Sequence, residues 1–204
     1  LLTAFNGILD AKIKLGDIAV IMGQGVIGQL VSQLAKLSGA KVYVVDMISK
    51  RLKVSLLNGS DGALNPNEGV DVALEIRKKS ENRGADVVID ASGAPKSLNE
   101  SIRTIAPEKT VVVLSWLQGD TILNLADEFH HNRVRLHCSQ ANHTSPEHAQ
   151  MWPFERKLEV CVQLLLKLKI DNLISNVYEF KDIAQAYHTI DEHPEKVIQT
   201  VLKY

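Results

Sequence analysis

The chain is poor in the features that mark several large classes of protein. Its 204 residues include two cysteines, only 5% aromatic residues and a formal net charge of −1. Two cysteines give no disulfide framework, and a balanced charge gives no field that would attract nucleic acid or an anionic membrane. No apolar run approaches the ~20 residues of a bilayer span. We therefore expect a cytoplasmic α/β protein with neither nucleic acid nor a membrane as partner.

The most informative stretch is Gly23–Gly28, which reads G-x-G-x-x-G. The apolar run Asp17–Met22 before it is typical of a buried parallel strand. The segment Val26–Ser38 after it has apolar residues at helical spacing. A second strand, Lys41–Val45, then ends in Asp46, 18 residues after Gly28. This order of strand, glycine turn, helix, strand and acid predicts a dinucleotide-binding unit.

Each residue of the turn has a physical role in that prediction. Gly23 allows the tight turn, Gly25 lets a pyrophosphate approach the backbone, and Gly28 lets the helix pack closely on the sheet. The N–H groups of Val26 and Ile27 lie in the first helical turn, where they have no partner inside the helix and favour negative charge. The turn is therefore a candidate phosphate site.

Asp46 bears on the choice between NAD and NADP. A carboxylate at this position accepts hydrogen bonds from the ribose hydroxyls but repels a 2′-phosphate. Met47 and Ile48 supply no cation for such a phosphate, and Arg51 lies further along the chain. The sequence therefore predicts NAD as the cofactor.

The rest of the chain continues the alternation of strands and helices. The strand interiors are almost continuously apolar, which predicts a six-stranded parallel sheet covered on both faces, a doubly wound Rossmann sheet of order 3-2-1-4-5-6. We expect a dinucleotide-binding domain over residues 1–139, with a lead-in helix over 1–16, and a separate segment over 140–204. The expected later elements are strands near 62–64, 85–90, 109–114, 133–138, 176–180 and 196–204, helices over 49–57, 70–79, 97–106, 154–168 and 183–192 with Asp182 as the cap of the last, and a polar loop over 140–153.

Several short motifs together resemble the later half of the medium-chain dehydrogenase/reductase family, the zinc-type alcohol and polyol dehydrogenases. The resemblance extends over essentially the whole chain. The residues that carry it are Thr3-Ala4, Gly16-Asp17, Gly23–Gly28, Ala35-Lys36, Gly39-Ala40, Asp46, Arg51, Gly84–Gly93, Leu173–Ser175 and Phe180–Tyr187.

The resemblance implies positions for the parts of the cofactor. Gly25, Val26 and Ile27 match the pyrophosphate cradle, Asp46 the ribose acid, and Arg51 a basic residue beside the adenosine ribose. Ser92 and the pair Ser115-Trp116 match positions that border the cofactor, and Ser139-Gln140 a position beside the carboxamide. Gln199, which carries no charge, stands where alcohol dehydrogenases often have an arginine that contacts the pyrophosphate.

The resemblance also implies that part of the active site lies outside this sequence. Leu1–Ile8 already reads as the interior of a helix, and we expect the chain to be the later part of a longer polypeptide. In the family an earlier, GroES-like catalytic domain supplies the zinc ligands and most of the substrate pocket. The segment 140–204 belongs to that domain and packs on it, so its apolar face should be partly exposed here.

For the histidines, the cysteines and Asp90, a structural role is a simpler explanation than a catalytic or metal-binding one. The histidines, including His130, His131 and His137, show no ligand spacing, and no catalytic or metal-binding residue is assigned. Cys138 and Cys161 are expected to be buried small apolar residues. Asp90 ends the fourth predicted strand and is expected to cap the turn that follows it.

The predicted function is hydride transfer between a small alcohol or carbonyl substrate and NAD, with zinc held only by the earlier domain. One alternative is a zinc-independent relative similar to quinone reductases. Another is a nucleotide-binding module without turnover, and a methyltransferase that binds S-adenosylmethionine is disfavoured by the residues after Asp90. The resemblance implies a homodimer or higher oligomer that pairs through the sixth strand.

Overall fold

The computed structural model describes residues 1–117 and 119–204. Helices and strands alternate from the start of the chain, as predicted. The elements of the first part are α1 (Leu2–Ala11), β1 (Ile18–Met22), α2 (Val26–Leu37), β2 (Lys41–Val45), α3 (Ser49–Leu57), β3 (Gly62–Leu64), α4 (Val72–Lys79), β4 (Val87–Asp90), α5 (Pro95–Thr104), β5 (Thr110–Val113), α6 (Glu128–His131) and β6 (Arg135–Cys138). Those of the second part are α7 (Pro146–Ala149), α8 (Phe154–Leu165), β7 (Ile174–Glu179), α9 (Ile183–Glu192) and β8 (Gln199–Lys203).

Within the described residues, six parallel strands form one sheet in the order β3-β2-β1-β4-β5-β6. The order reverses between β2 and β4, on either side of β1, which pairs with both. A crevice forms outside the carboxyl ends of the strands at such a switch point, because the helices that follow β1 and β4 leave on opposite faces. The predicted fold class is confirmed.

The central strand β1 is buried at every position, and all five of its residues are apolar. In β1, Ala19 and Ile21 pack on one face, with α1 and α2, while Ile18, Val20 and Met22 pack on the other, with α4 and α5. Full burial of both faces removes any polar alternation from the strand, as the sequence pattern indicates.

The segment after residue 139 shares the core of the sheet domain. Cys161, Leu168, Leu173 and Ile198 belong to the same buried cluster as residues of α1 and α2. β7 and β8 pair in parallel as a separate two-stranded sheet. The hydrophobic core of the sheet therefore continues into the segment after residue 139, and the domain boundary at 139/140 stays a prediction.

Three local predictions differ from the structure. The loop predicted over 140–153 contains the short helix α7. Asp182 lies at the N-cap of α9, but its side chain accepts no cap hydrogen bond. The N–H of Ile183 donates to the carbonyl of Phe180 in the 3₁₀ turn Phe180–Asp182. Cys138 is exposed rather than buried, since it ends β6 at the edge of the sheet.

Cys161 is buried, as predicted, and burial raises the pKa of its thiol, which favours the unreactive protonated form. Among the described residues, no helix has both the length and the apolar character needed to cross a bilayer.

Candidate functional site

The glycine turn follows β1 and contacts the carboxyl ends of the two neighbouring strands, β2 and β4. Gly23 has φ +83°, a left-handed conformation that favours glycine, and its N–H donates to the carbonyl oxygen of Val45 at 2.8 Å. A Cβ on Gly23 would lie 2.5 Å from the Cα of Ser92. Both the conformation and the contact with the β4 exit therefore require glycine at this position.

The second and third glycines differ in what surrounds them. Gly25 is the N-cap of α2, and a Cβ built on it would meet no heavy atom of a neighbouring segment within 4 Å. A Cβ on Gly28 would lie 1.8 Å from the carbonyl oxygen of Gly23. Gly28 therefore serves close packing inside the protein, while the space at Gly25 is open to a ligand at the positive end of a helix.

Asp46 is oriented by the backbone at the exit of β2. Its Oδ2 accepts the N–H of Gln24 at 2.6 Å, and its Oδ1 accepts the N–H of Ile48 at 2.8 Å. The side chain is 8% exposed. Each carboxylate oxygen keeps a further lone pair, so the group can still accept hydrogen bonds from a diol while the two amide groups hold its orientation.

Arg51 lies beside Asp46, but most of its donors bind another part of the chain. Its Nη1 is 3.8 Å from Oδ2 of Asp46. Its Nε and Nη2 donate to the carbonyl of Val197 at 3.1 and 2.9 Å, and Nη2 also donates to that of Pro194 at 3.0 Å. The structure thus shows a second role for Arg51, which holds the turn before β8 against the N-terminus of α3. These partners are far away in sequence, so no local pattern could have indicated them.

Gln24 is a structural residue of the site that sequence reasoning missed. It is fully buried, and its amide nitrogen donates to the carbonyls of Ile21 and Gly23 at 3.2 and 2.9 Å. Its Oε1 accepts hydrogen bonds from Ser55 at 2.8 Å and Ser32 at 3.2 Å. The side chain therefore ties the glycine turn to α2 and α3. No signal marks this role, because the motif leaves this position free.

Asp90, at the carboxyl end of β4, is fully buried and accepts the hydrogen bonds that fix the following turn. Its Oδ1 accepts both the N–H and the hydroxyl of Ser92, at 3.0 and 2.7 Å, and its Oδ2 accepts the hydroxyl of Ser101 at 3.3 Å. The prediction that Asp90 caps this turn is confirmed. Ser115 donates to the backbone carbonyl of Asp90 at 3.4 Å, so both candidate serines lie at this exit.

The remaining candidate positions differ in accessibility. Trp116 is 86% exposed and Gln140 is exposed, while Ser139 is buried. The side chain of Gln199 donates to the carbonyl of Thr200 at 2.7 Å. The structure brings Gly23, Gly25, Val26, Ile27, Gly28, Asp46, Arg51, Ser92 and Ser115 to the carboxyl edge of one sheet.

A zinc site does not fit the described part of the chain. Within residues 1–117 and 119–204, no three His, Cys, Asp or Glu side chains are grouped closely enough to hold a metal ion. We therefore assign no metal ligand to these residues.

Comparison with known proteins indicates the family to which this site belongs. A family model described as zinc-binding dehydrogenase matches residues 26–154. D-guloside 3-dehydrogenase from Escherichia coli K12 is 34% identical in an alignment of 202 positions that covers 96% of this chain and 57% of that protein. The chain thus spans little more than half the length of this curated relative.

Solved structures share the fold and carry either nicotinamide cofactor. An alcohol dehydrogenase from Escherichia coli CFT073 in complex with NADH has a TM-score of 0.81 at 20% identity, over 100% of this chain and 57% of that one. A zinc-binding dehydrogenase from Sinorhizobium meliloti bound to NADP has a TM-score of 0.76 at 24% identity, over 91% of this chain and 52% of that one. The fold alone therefore does not choose between the two cofactors.

Proposed function

The chain belongs to the zinc-binding dehydrogenase family, and we propose that it binds NAD at the glycine turn for hydride transfer to or from a small alcohol or carbonyl substrate. The observation that carries this proposal is the open space at Gly25, at the N-terminus of α2 and next to the oriented carboxylate of Asp46. Because the chain spans about half the length of its relatives, the activity of the whole protein is part of the proposal.

The residues of the turn fit a pyrophosphate. The bare backbone at Gly25 lets two phosphates approach, and the N–H groups of Val26 and Ile27 donate to them. The positive end of α2 adds to this attraction. The hydrogen bonds of Gln24 and the close packing at Gly28 hold the turn in one conformation, so the phosphate site is formed before the cofactor binds.

The surroundings of Asp46 support NAD over NADP. Its carboxylate, held by two amide groups, accepts the two hydroxyls of the adenosine ribose. A 2′-phosphate would meet this negative charge, and the nearest guanidinium, that of Arg51, donates to the carbonyls of Val197 and Pro194. Two of the three guanidinium nitrogens, Nε and Nη2, are thus already bound to the protein, which leaves a phosphate only Nη1 unless hydrogen bonds break.

The second half of the dinucleotide would lie over the exits of β4, β5 and β6, because a doubly wound sheet has one nucleotide-binding half on each side of its switch point. Ser92 and Ser115 lie at these exits. When bound, the nicotinamide ring supplies the carbon that takes or gives the hydride. The contribution of this chain is to hold the ring in one orientation towards the substrate.

The relatives indicate the class of substrate. D-guloside 3-dehydrogenase is an oxidoreductase of a sugar derivative, and we propose a secondary hydroxyl of a polyol or sugar as the reacting group. Zinc that polarises this oxygen would be bound by the GroES-like domain of the family, since the described residues of this chain group no set of metal ligands. The cytoplasmic location stays a prediction from the low cysteine content.

The apolar side of α8 supports the proposal that segment 140–204 packs on such a catalytic domain. One side of this helix carries exposed apolar side chains one turn apart. They are Phe154 (51% exposed), Leu158 (48%), Val162 (58%) and Leu165 (42%). A contiguous exposed apolar face of this kind is typical of an interface.

Substitution of Gly25 tests the proposed function. Titration of the chain with NADH, followed by nicotinamide fluorescence, should show saturable binding. Gly25→Ala should weaken it by about tenfold or more, because the new methyl group occupies the space of the pyrophosphate. The backbone of Gly25, at φ −65°, accepts alanine, so the melting temperature should stay unchanged.

Absence of NADH binding by the unsubstituted chain would overturn the proposal. Saturable binding of S-adenosylmethionine in its place would favour the methyltransferase alternative.

We further propose that the chain forms a dimer through β6, the edge strand of the sheet. The N–H groups of Arg135 and Ser139 donate to β5, so the alternation along the strand points that of Cys138 outwards. Cys138→Pro should remove one outward donor and shift size-exclusion elution from dimer to monomer, whereas Cys138→Ser should elute as the unsubstituted chain does. An unsubstituted chain that elutes only as a monomer would contradict this proposal.

A further inference from the structure

Lys157 of α8 carries a buried ammonium group that has no role in the proposed function. Lys157 is 2% exposed, and its side chain is the largest of those in the described residues that are almost inaccessible to solvent. Its Nζ donates to Oγ1 of Thr144 at 2.7 Å, to Oδ1 of Asn6 at 3.2 Å and to the carbonyl of Ala141 at 3.4 Å. These three acceptors are uncharged, so hydrogen bonds rather than an ion pair compensate the burial of the charge.

Asn6 of α1 extends this cluster to the end of β6. It is 1% exposed, and its Nδ2 donates to Oγ of Ser139 at 3.2 Å and to the carbonyl of Gln140 at 3.1 Å. The same nitrogen is 3.1 Å from Oδ2 of Asp10. Asn6 therefore links Lys157 to the backbone that leaves the sheet.

Together the two side chains hold one loop, residues 139–144. Asn6 binds its start at Ser139 and Gln140, while Lys157 binds its middle and end at Ala141 and Thr144. A backbone hydrogen bond from His143 to Gln140, 3.0 Å long, closes the loop on itself. The loop is thus fixed by two helices, α1 and α8, that are far apart in the sequence.

A buried ammonium is a poor way to gain stability, because it loses its hydration, and an apolar side chain of similar length often packs as well or better. In some proteins, buried polar groups instead select one conformation of the elements they connect. The element selected here is a loop at the carboxyl end of β6. It lies in the half of the sheet opposite to Asp46, where the second nucleotide of a dinucleotide binds.

We propose that Lys157, with Asn6, is a positioning residue that holds loop 139–144 in the conformation that receives the nicotinamide half of the cofactor. This inference rests on the proposed function. It makes the affinity for the nicotinamide half depend on a side chain of α8, which lies outside the nucleotide-binding sheet.

The test compares NADH with ADP-ribose, which has the adenosine and pyrophosphate but lacks nicotinamide. Lys157→Met should weaken NADH binding by about tenfold, the equivalent of one or two hydrogen bonds, and leave ADP-ribose binding within about twofold. Lys167→Met is the matched control, since Lys167 is exposed, and should change neither affinity. Isothermal titration calorimetry measures both ligands on the same preparation.

The ratio of the two affinities separates positioning from a general loss of structure, because partial unfolding lowers both affinities by the same factor. Thr144→Val removes the shortest of the three hydrogen bonds and keeps Lys157, so it should lower the ratio in the same direction if Lys157→Met does not fold. Equal affinity changes for both ligands, or none, would overturn the inference. Failure of the unsubstituted chain to bind ADP-ribose or NADH would instead count against the proposed function.

Discussion

Gly28→Ala should lower the free energy of unfolding by about 3 kcal/mol or more, which for a chain of this size is a fall of roughly 6–12 °C in melting temperature. The new Cβ would lie 1.8 Å from the carbonyl oxygen of Gly23, and both groups are backbone or directly attached to it. No rotamer change can relieve such an overlap. Either α2 must move away from the sheet or the turn must open, and both movements disturb the buried core around β1.

Gly25→Ala is the matched control, since it adds the same methyl group three residues earlier in the same turn. The added methyl group would meet no neighbouring atom, so the melting temperature of this variant should equal that of the unsubstituted chain while its affinity for the cofactor falls. Differential scanning calorimetry of the two variants therefore separates packing from ligand contact within one motif. Equal melting temperatures for Gly28→Ala and the unsubstituted chain would contradict the assignment of Gly28 to packing.

Asp46→Ala should weaken NADH binding by roughly 30- to 150-fold, because it removes charge-assisted hydrogen bonds to the ribose hydroxyls. NADPH binding should change by no more than a few-fold. The repulsion of the 2′-phosphate disappears, but Arg51 remains bound to the carbonyls of Pro194 and Val197 and gives the phosphate little in return. The ratio of NADH affinity to NADPH affinity should therefore fall steeply, but NADPH should not become the preferred cofactor.

Parallel titrations with NADH and NADPH measure this change. The ratio of the two affinities matters because Asp46 also accepts the N–H groups of Gln24 and Ile48, so its loss loosens the turn for both cofactors. Asp46→Asn keeps one acceptor oxygen at nearly the same volume and should give an intermediate ratio. An unchanged NADH affinity in Asp46→Ala would refute the role of this carboxylate.

Much of the nucleotide-binding half could be predicted because its signals are local. Continuous apolar strands, helical spacing and turn residues lie within a few positions of each other, and the observed strand boundaries fall within about three residues of those expected. The order of the three glycines in the motif predicts a different role for each. The structure distinguishes them by what an added Cβ would meet at each one.

The second half was less predictable because its helix carries apolar residues on more than one side. In α8 Leu158, Val162 and Leu165 are exposed, as expected from the sequence for the apolar face of this segment, but the pattern does not show that the buried face contains Lys157 beside Cys161. A lysine in an amphipathic helix is ordinarily a surface residue. Only the position of the helix over α1 and loop 139–144 makes it a buried donor.

The sequence by itself determined the doubly wound sheet, the place of its switch point and the acid beside the expected ribose. These follow from residue periodicity and from conformations that a few neighbouring residues impose. The tertiary structure alone decided that Arg51 binds the turn before β8, that Gln24 supports the glycine turn from inside, and that Lys157 and Asn6 hold the loop after β6. Those interactions join residues from distant parts of the chain, and only the packing of elements on the sheet brings their donors and acceptors within hydrogen-bonding distance.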